Sequence, residues 1–325
     1  MRRAVIAGTG SYVPENILTN GDMARLVETS DDWITSRTGI RERHISTGEN
    51  TSDLAYEAAN RALIYAGMEA SAIDLIICAT ITPDSFMPSV ACMVQERLGA
   101  TRAAAFDLAA ACSGLIYGMA CAASFIESGM YQNILVIGAE TLSKSLDWTD
   151  RSTCVLFGDG AGAVILSATD RETGIISMQL LSDGSKQDYL TLSAVPLHNP
   201  LVEGTEPLPA VIAMKGQEVF KFAVRSITEH IRSVLEKASV AEEEIKFIVT
   251  HQANCRIIEQ AAKLSKIPTE KFYMNLDRYG NTSAASIGLA LDEMVQKKML
   301  KTGDKLILVG FGGGMTSGAI LVEWM

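Results

Sequence analysis

Apolar residues follow two rhythms along this chain. Stretches such as "LAYEAANRALIYAG" (54–67) and "VRSITEHIRSVLEKA" (224–238) space them three and four positions apart, the period of a helix with one buried face. Between these lie short, nearly unbroken apolar runs, "AIDLIICATITP" (72–83), "NILVIGAE" (133–140), "EIKFIVTHQANC" (244–255) and "KLILVGFG" (305–312), which is how strands covered on both sides read. The alternation predicts an α/β protein with buried sheets.

The runs also repeat. Pairing Ile73 with Ile245 and Gly138 with Gly310 gives one offset, 245 − 73 = 310 − 138 = 172, so the chain divides into two copies of one pattern, 1–172 and 173–325. No Pro- or Ser-rich linker separates them, which predicts one continuous body of five α/β/α/β/α layers. The uncharged run from Leu108 to Ile126 is long enough for a membrane span but is made of Ala, Gly, Ser and Cys, so it predicts a buried central helix. The stretch from Asp183 to Pro209 reads as loop.

Composition narrows the partners. The 325 residues are 48% hydrophobic and 20% charged, with a net charge of −10. That apolar content points to an oligomer. The negative balance argues against nucleic acid or an anionic membrane. The opening "MRRAVIAGTGSYVPEN" has too short an apolar run for a secretory signal, so the cytoplasm is expected. The six cysteines have no metal-ligand spacing and no C-x-x-C pair, so no metal is expected and most should be buried thiols.

One of them stands apart. Cys112 follows the apolar run "AAAFDL" and opens the helix-like "SGLIYGMACAASFIESG", where unpaired N–H groups and the helix dipole favour a thiolate. In the second half, "VTHQANCRI" and "RYGNTSAAS" place His251, Asn254 and Asn281 at equivalent strand ends. The residues 172 positions before His251 and Asn281 are alanines, so each polar group occurs once, and a Cys, a His and an Asn can meet between the halves. "AGTGSYVP" carries Gly8 and Gly10 but lacks the third glycine and distal acid of the dinucleotide fingerprint, which argues against an NAD-dependent oxidoreductase. "FGDGAGAV" (157–164) reads as close packing.

Together, "AACSG" around Cys112, "HQAN" (251–254), "GNTSAAS" (280–286), "FGGG" (311–314), "RTGIRERH" (37–44) and "FGDGAG" (157–162) resemble the β-ketoacyl-[acyl-carrier-protein] synthase III enzymes of the thiolase superfamily, in family order and over essentially the whole chain. The resemblance implies a thiolase-like, duplicated αβαβα fold with two mixed sheets and a homodimer. It implies condensation of an acyl-CoA primer with malonyl-acyl carrier protein to a 3-oxoacyl product at the start of fatty-acid synthesis, with coenzyme A thioesters and carrier protein as substrates and no cofactor. Cys112 would carry the acyl group, and His251 and Asn281 would stabilise the enolate left by decarboxylation. The amides of Cys112 and Gly313 would form the oxyanion hole. Trp33, Arg37, Arg151 and Asn254 would bind coenzyme A, with Phe311 beside the inner tunnel. Lys221, Arg256 and Lys263 fall at carrier-docking positions. In the primer segment "DSFMPS", Met87 stands where relatives often carry a Phe that enters the partner subunit's pocket, which leaves acetyl, branched and longer primers open. A related condensing enzyme of polyketide or secondary metabolism is the alternative, and a non-catalytic carrier-binding module a further one.

Overall fold

The computed structural model describes residues 2–202 and 210–325. The chain opens with β1 (Arg3–Tyr12), a small hairpin of β2 (Ile17–Thr19) and β3 (Glu42–His44), and two short helices between them, α1 (Asn20–Leu26) and α2 (Asp31–Thr38). Then come α3 (Thr51–Ala66), β4 (Leu75–Ala79), α4 (Val90–Leu98), β5 (Ala104–Leu108), α5 (Gly114–Glu127), β6 (Asn133–Glu140) and β7 (Gly160–Thr169). The second half runs β8 (Gly174–Ser182), β9 (Leu190–Leu192), β10 (Ile212–Met214), α6 (Gly216–Ala238), β11 (Ile245–Thr250), α7 (Cys255–Ser265), β12 (Phe272–Tyr273), α8 (Leu276–Tyr279), α9 (Ser286–Gln296), β13 (Lys305–Gly312) and β14 (Thr316–Glu323).

Among the described residues these make two five-stranded mixed sheets, β1-β7-β6-β4-β5 and β8-β14-β13-β11-β12. In each, the three strands at one end are parallel and the rest antiparallel. Helices α3 and α4 cover the outer face of the first sheet with alanine-rich surfaces. Helices α6 and α7 cover the second. Between the sheets lie α5 and α9, packed on both through Leu115, Ile116, Met119, Ile287 and Leu291. The duplicated five-layer architecture expected from the sequence is the one the chain adopts. The run Leu108–Ile126 supplies the buried α5, and among the described residues no helix is long and apolar enough to cross a membrane.

The repeat is closest where chemistry is expected. Strand β13 is β6 moved by 305 − 133 = 172 positions. The one-turn segment Ala111–Ser113 that leads into α5 has its twin at Ser283–Ala285 leading into α9, again 283 − 111 = 172. Both turns begin with a non-glycine residue in the left-handed region, Ala111 at φ 45° and Ser283 at φ 50°, a conformation most side chains avoid. Each turn sits on a glycine of the other half. A Cβ on Gly138 would fall 2.1 Å from the Ala284 carbonyl oxygen, and one on Gly310 would fall 2.9 Å from the Ser113 Cα. Only residues without a Cβ allow such approaches. The close packing expected of "FGDGAG" holds as well: Gly162 meets Gly288 where β7 crosses α9.

One expectation is corrected. The loop read over Asp183–Pro209 contains a helical turn (Gly184–Tyr189) and β9, which pairs antiparallel with β10. A three-residue strand whose partner lies about twenty positions away leaves no local period to read. Residues 203–209 of that stretch lie outside the described residues.

Candidate active site

Cys112 stands in the turn between β5 and α5, 6% exposed. Ser113, the next residue, donates to the Ala110 carbonyl and pairs with Thr316 Oγ1, each at 2.7 Å, tying the turn to β14 of the other half. The backbone of Gly312 lies directly against Cys112. The helix beyond ends as the sequence indicated, with Gly129 at φ 81° after Ser128.

The electrostatic expectation for the thiol is overturned. Helix-tip geometry alone would favour the thiolate, yet burial pushes Cys112 up to about 12, the Ser283 hydroxyl working against the rise and the Glu140 charge adding to it. Loss of hydration outweighs a dipole that acts over only one turn.

A cavity of about 610 Å³ opens onto this thiol. Its walls include Ala111, Cys112, Ser283 and Gly313 at one end and Ile81–Phe86, Leu142, Phe157 and Leu190–Ala194 beyond. Cys112, Gly313 and the Asn281 loop therefore come together. His251 and Asn281 themselves, 2% and 7% exposed, are not among the lining residues. Asn281 is fixed through its backbone, donating to the Leu156 carbonyl at 2.8 Å and accepting from Gly158 N at 3.0 Å, while its side-chain oxygen accepts from Ser283 N at 2.9 Å. His251 follows β11 and donates its amide to Val309 O on β13. Its Nδ1 pairs with Ser286 Oγ at 2.7 Å, and its ring meets Phe311 edge-on at 4.9 Å. Burial holds its pKa down to about 3, so the imidazole is neutral. Arg43 of "RTGIRERH" is wholly buried and donates to the Val155 carbonyl at 2.7 Å, bracing the segment that holds Asn281.

The primer-pocket residues are not where a direct lining role would put them. Phe311 is 2% exposed, packed on His251 and outside the cavity wall. Met87 is 88% exposed and does not line this cavity, whereas its neighbour Phe86 does. Asn254 caps α7 by accepting from Arg256 N, and its Nδ2 donates to the Arg37 carbonyl at 3.0 Å. It therefore stands beside the proposed coenzyme platform.

Trp33, Arg37 and Arg151 do meet. The guanidinium carbons of Arg37 and Arg151 lie 4.6 and 5.3 Å from the centroid of the Trp33 ring. Arg151 is also anchored on the Glu28 carbonyl at 2.7 Å. Lys221, Arg256 and Lys263 are exposed on the neighbouring α6 and α7, but Lys221 is paired with Glu218 at 2.8 Å. Among the described residues, no group of three or more His, Cys, Asp or Glu is arranged to hold a metal.

The structure also places a carboxylate near the thiol. Glu140, at the end of "NILVIGAE", is fully buried and accepts from Ser283 Oγ at 3.1 Å, from Thr80 and Thr82 hydroxyls and from Ile81 N. An acid closing an otherwise apolar strand on the ligand side of the sheet was the available signal.

The sequence pattern of the family described as 3-oxoacyl-[acyl-carrier-protein] synthase III matches residues 106–184, and its C-terminal counterpart matches 235–324. The chain is 53% identical over 324 residues to a β-ketoacyl-[acyl-carrier-protein] synthase III of Clostridium novyi, covering all of both chains. The crystal structure of 3-oxoacyl-[acyl-carrier-protein] synthase III from Aquifex aeolicus superposes with a TM-score of 0.92 at 47% identity, covering 99% of this chain and 100% of that one. The Thermus thermophilus enzyme gives 0.93 at 42%, covering 99% of each.

Proposed function

Because the chain belongs to the β-ketoacyl-[acyl-carrier-protein] synthase III family, and so condenses an acyl primer with malonyl-acyl carrier protein in fatty-acid initiation, we propose that Cys112, His251 and Asn281 carry the reaction. The observation that supports this most is the seating of the Cys112 turn against Gly312 and Ser283 at the mouth of one cavity. Cys112 attacks the thioester carbonyl of acyl-CoA, the new C–S bond forms as the bond to the coenzyme sulfur breaks, and free coenzyme A leaves. The amides of Cys112 and Gly313 hold the oxyanion formed on the way.

Malonyl-acyl carrier protein enters next. Loss of carbon dioxide leaves an enolate, whose oxygen accepts hydrogen bonds from His251 and Asn281. Its carbon attacks the acyl group on Cys112, and the C–S bond breaks to release the 3-oxoacyl product and return the Cys112 sulfur, which takes up a proton. We assign the Ser286 hydroxyl proton to His251 Nδ1, Ser286 Oγ itself accepting from Gln252 N at 3.3 Å. That leaves Nε2–H to donate, the role a neutral imidazole can fill. Decarboxylation needs no base, which suits these two groups.

Trp33, Arg37 and Arg151 bind the adenine and phosphates of coenzyme A, with Asn254 holding the Arg37 backbone. The carrier protein docks on Arg256, Lys263 and Lys221 along α6 and α7, a local basic strip on an acidic protein. The enzyme is a cytoplasmic homodimer. Strand β5 ends the first sheet, with Phe106 exposed on it, and an open apolar edge of this kind is normally paired. Met87 then projects towards the partner's cavity. The halves 1–172 and 173–325 are the two arms of the duplication, the chain crossing between sheets from β7 to β8.

The test is transfer of a labelled acyl group from acyl-CoA to the protein, followed by malonyl-acyl carrier protein. Label on Cys112 that chases into 3-oxoacyl product with release of carbon dioxide is expected. Cys112→Ala that still takes up label and condenses at the normal rate would exclude this residue as the nucleophile.

A further inference from the structure

Arg43 carries a positive charge into the interior, where it is wholly buried. Its hydrogen-bond acceptors are all neutral: the Leu18 carbonyl at 3.1 Å, Asn20 Oδ1 at 3.0 Å and the Val155 carbonyl at 2.7 Å. Its Nε has no partner. A guanidinium held this way loses its hydration without the attraction of a carboxylate, so an apolar side chain of the same volume would serve stability as well or better. What the forked group supplies is geometry, since it fixes three separate segments at one spacing.

Those segments lead to two parts of the site. On one side, Asn20 passes the contact on to α2, its Nδ2 donating to Asp31 Oδ1 at 2.8 Å, to Thr35 Oγ1 at 3.2 Å and to the Ile40 carbonyl at 2.8 Å. Helix α2 carries Trp33 and Arg37. On the other side, Val155 leads into Leu156, whose carbonyl accepts from Asn281 N, and Gly158 N donates back to the Asn281 carbonyl. Phe157 and Asn281 thereby form a small parallel bridge. The stem of Arg43 lies against this bridge as well: a Cβ on Gly158 or on Gly280 would stand 3.2 Å from the Arg43 Cβ. Gly280, at φ 64° and ψ −159°, occupies a region open essentially to glycine alone, so the chain enters Asn281 in one direction. The Asn281 Oδ1 accepts from Ser283 N, which leaves Nδ2 to donate.

We propose that Arg43 is a positioning residue for malonyl decarboxylation: anchored on α2 through Asn20, its guanidinium fixes Val155 and with it the bridge from which Asn281 presents its carboxamide. This rests on Asn281 being a donor to the enolate. Arg43 acts only through the bridge, holding Asn281 Nδ2 within reach of the enolate oxygen. The other two groups are held by different contacts. Cys112 is seated by Gly312 and by the Ser113–Thr316 pair, and His251 by Val309 and Ser286. Acyl transfer to Cys112 therefore does not run through this junction. Lysine at 43 would keep the charge, but one compact ammonium does not span acceptors placed for a planar fork.

The experiment measures carbon dioxide release from malonyl-acyl carrier protein and single-turnover acylation of Cys112 by saturating labelled acyl-CoA, in the full-length protein, Arg43→Lys, Asn281→Ala and the double variant. Arg43→Lys should lower kcat for carbon dioxide release by about 10- to 10²-fold, as misplacement of a reacting-site group does, while KM for malonyl-acyl carrier protein and the acylation rate each change by less than about threefold. In the Asn281→Ala background, Arg43→Lys should add no further loss, because the carboxamide it positions is already gone. A further loss there, equal slowing of both half-reactions, or unchanged carbon dioxide release in folded Arg43→Lys would each overturn the proposal. Should Arg43→Lys not fold, Asn20→Ala, which removes one of the three anchors, is taken through the same cycle and decides. Asn281→Ala alone separates the two readings: normal carbon dioxide release from it removes Asn281 as a donor, whereas normal release from Arg43→Lys beside a slowed Asn281→Ala removes only the positioning role.

Discussion

Gly312 lies so close to Cys112 that a Cβ built on it would stand 2.6 Å from the Cys112 amide nitrogen and 3.0 Å from its Cβ. Cys112, the proposed nucleophile of the first half, is thus positioned by backbone of the second, at a contact that admits no side chain at all. Gly312→Ala must push the turn Ala111–Ser113 away from β13. A stability loss of about 1–3 kcal/mol is expected from the overpacking, together with a fall of at least about tenfold in acyl transfer to Cys112. Thermal melting and single-turnover labelling measure the two. A variant that labels normally would show that the turn relaxes without moving the sulfur.

The buried imidazole gives a second expectation. With its pKa held to about 3, His251 is neutral throughout the range from pH 5 to pH 9. Its share of malonyl decarboxylation should therefore be flat with pH. His251→Ala and Asn281→Ala should each slow carbon dioxide release by about 10²-fold or more, as loss of one oxyanion donor does. Release of carbon dioxide from malonyl-acyl carrier protein at several pH values provides the check.

Stacking of two guanidinium groups on Trp33 predicts where its loss will be felt. Trp33→Ala leaves Arg37 and Arg151 without the surface that orders them, and about 1–2 kcal/mol of cation–π and stacking energy goes with it. The KM for acyl-CoA should rise by about tenfold, with kcat changing less. Steady-state kinetics with varied acyl-CoA would test this, and an unchanged KM would place the coenzyme elsewhere.

Acid should weaken the fold through its buried histidines. His230 is 1% exposed, its Nε2 pairs with Ser317 Oγ, and burial holds its pKa down to about 4. Between the ordinary histidine value of about 6.5 and that figure, the unfolded chain binds a proton that the folded chain refuses. Stability is therefore lost as pH falls from about 6.5 towards 4. Glu140 acts with the opposite sign. Its raised pKa favours the fold in acid, and that contribution is lost as pH rises from the ordinary carboxylate range through about 7. His230→Gln should lessen the acid-induced drop by an amount on the order of 2 kcal/mol, read from denaturant midpoints at pH 7 and pH 4.5.

Much of this was legible in the chain. The 172-residue offset foretold that β6 and β13, and the turns before α5 and α9, are twins, because a buried strand or helix start keeps its register. The carboxylate was missed for the same reason that made the strand readable. Glu140 ends an apolar run, and a run is recognised by its apolar members. The thiol's state was misjudged because position on a helix can be read from sequence whereas depth cannot. Burial of Cys112 depends on Gly312 and Ser283, each more than 150 positions away. Within the segment "DSFMPS", only coordinates separate Phe86, which faces the cavity, from Met87, which turns outward.

The paired glycines under the two turns carry a historical consequence. Gly138 receives Ala284 as Gly310 receives Ser113, so each arm completes a crevice in its sibling, as two identical ancestral chains would have done in a symmetric couple. The two crevices are alike in backbone and unlike in chemistry, since one turn carries Cys112 where its twin carries Ala284.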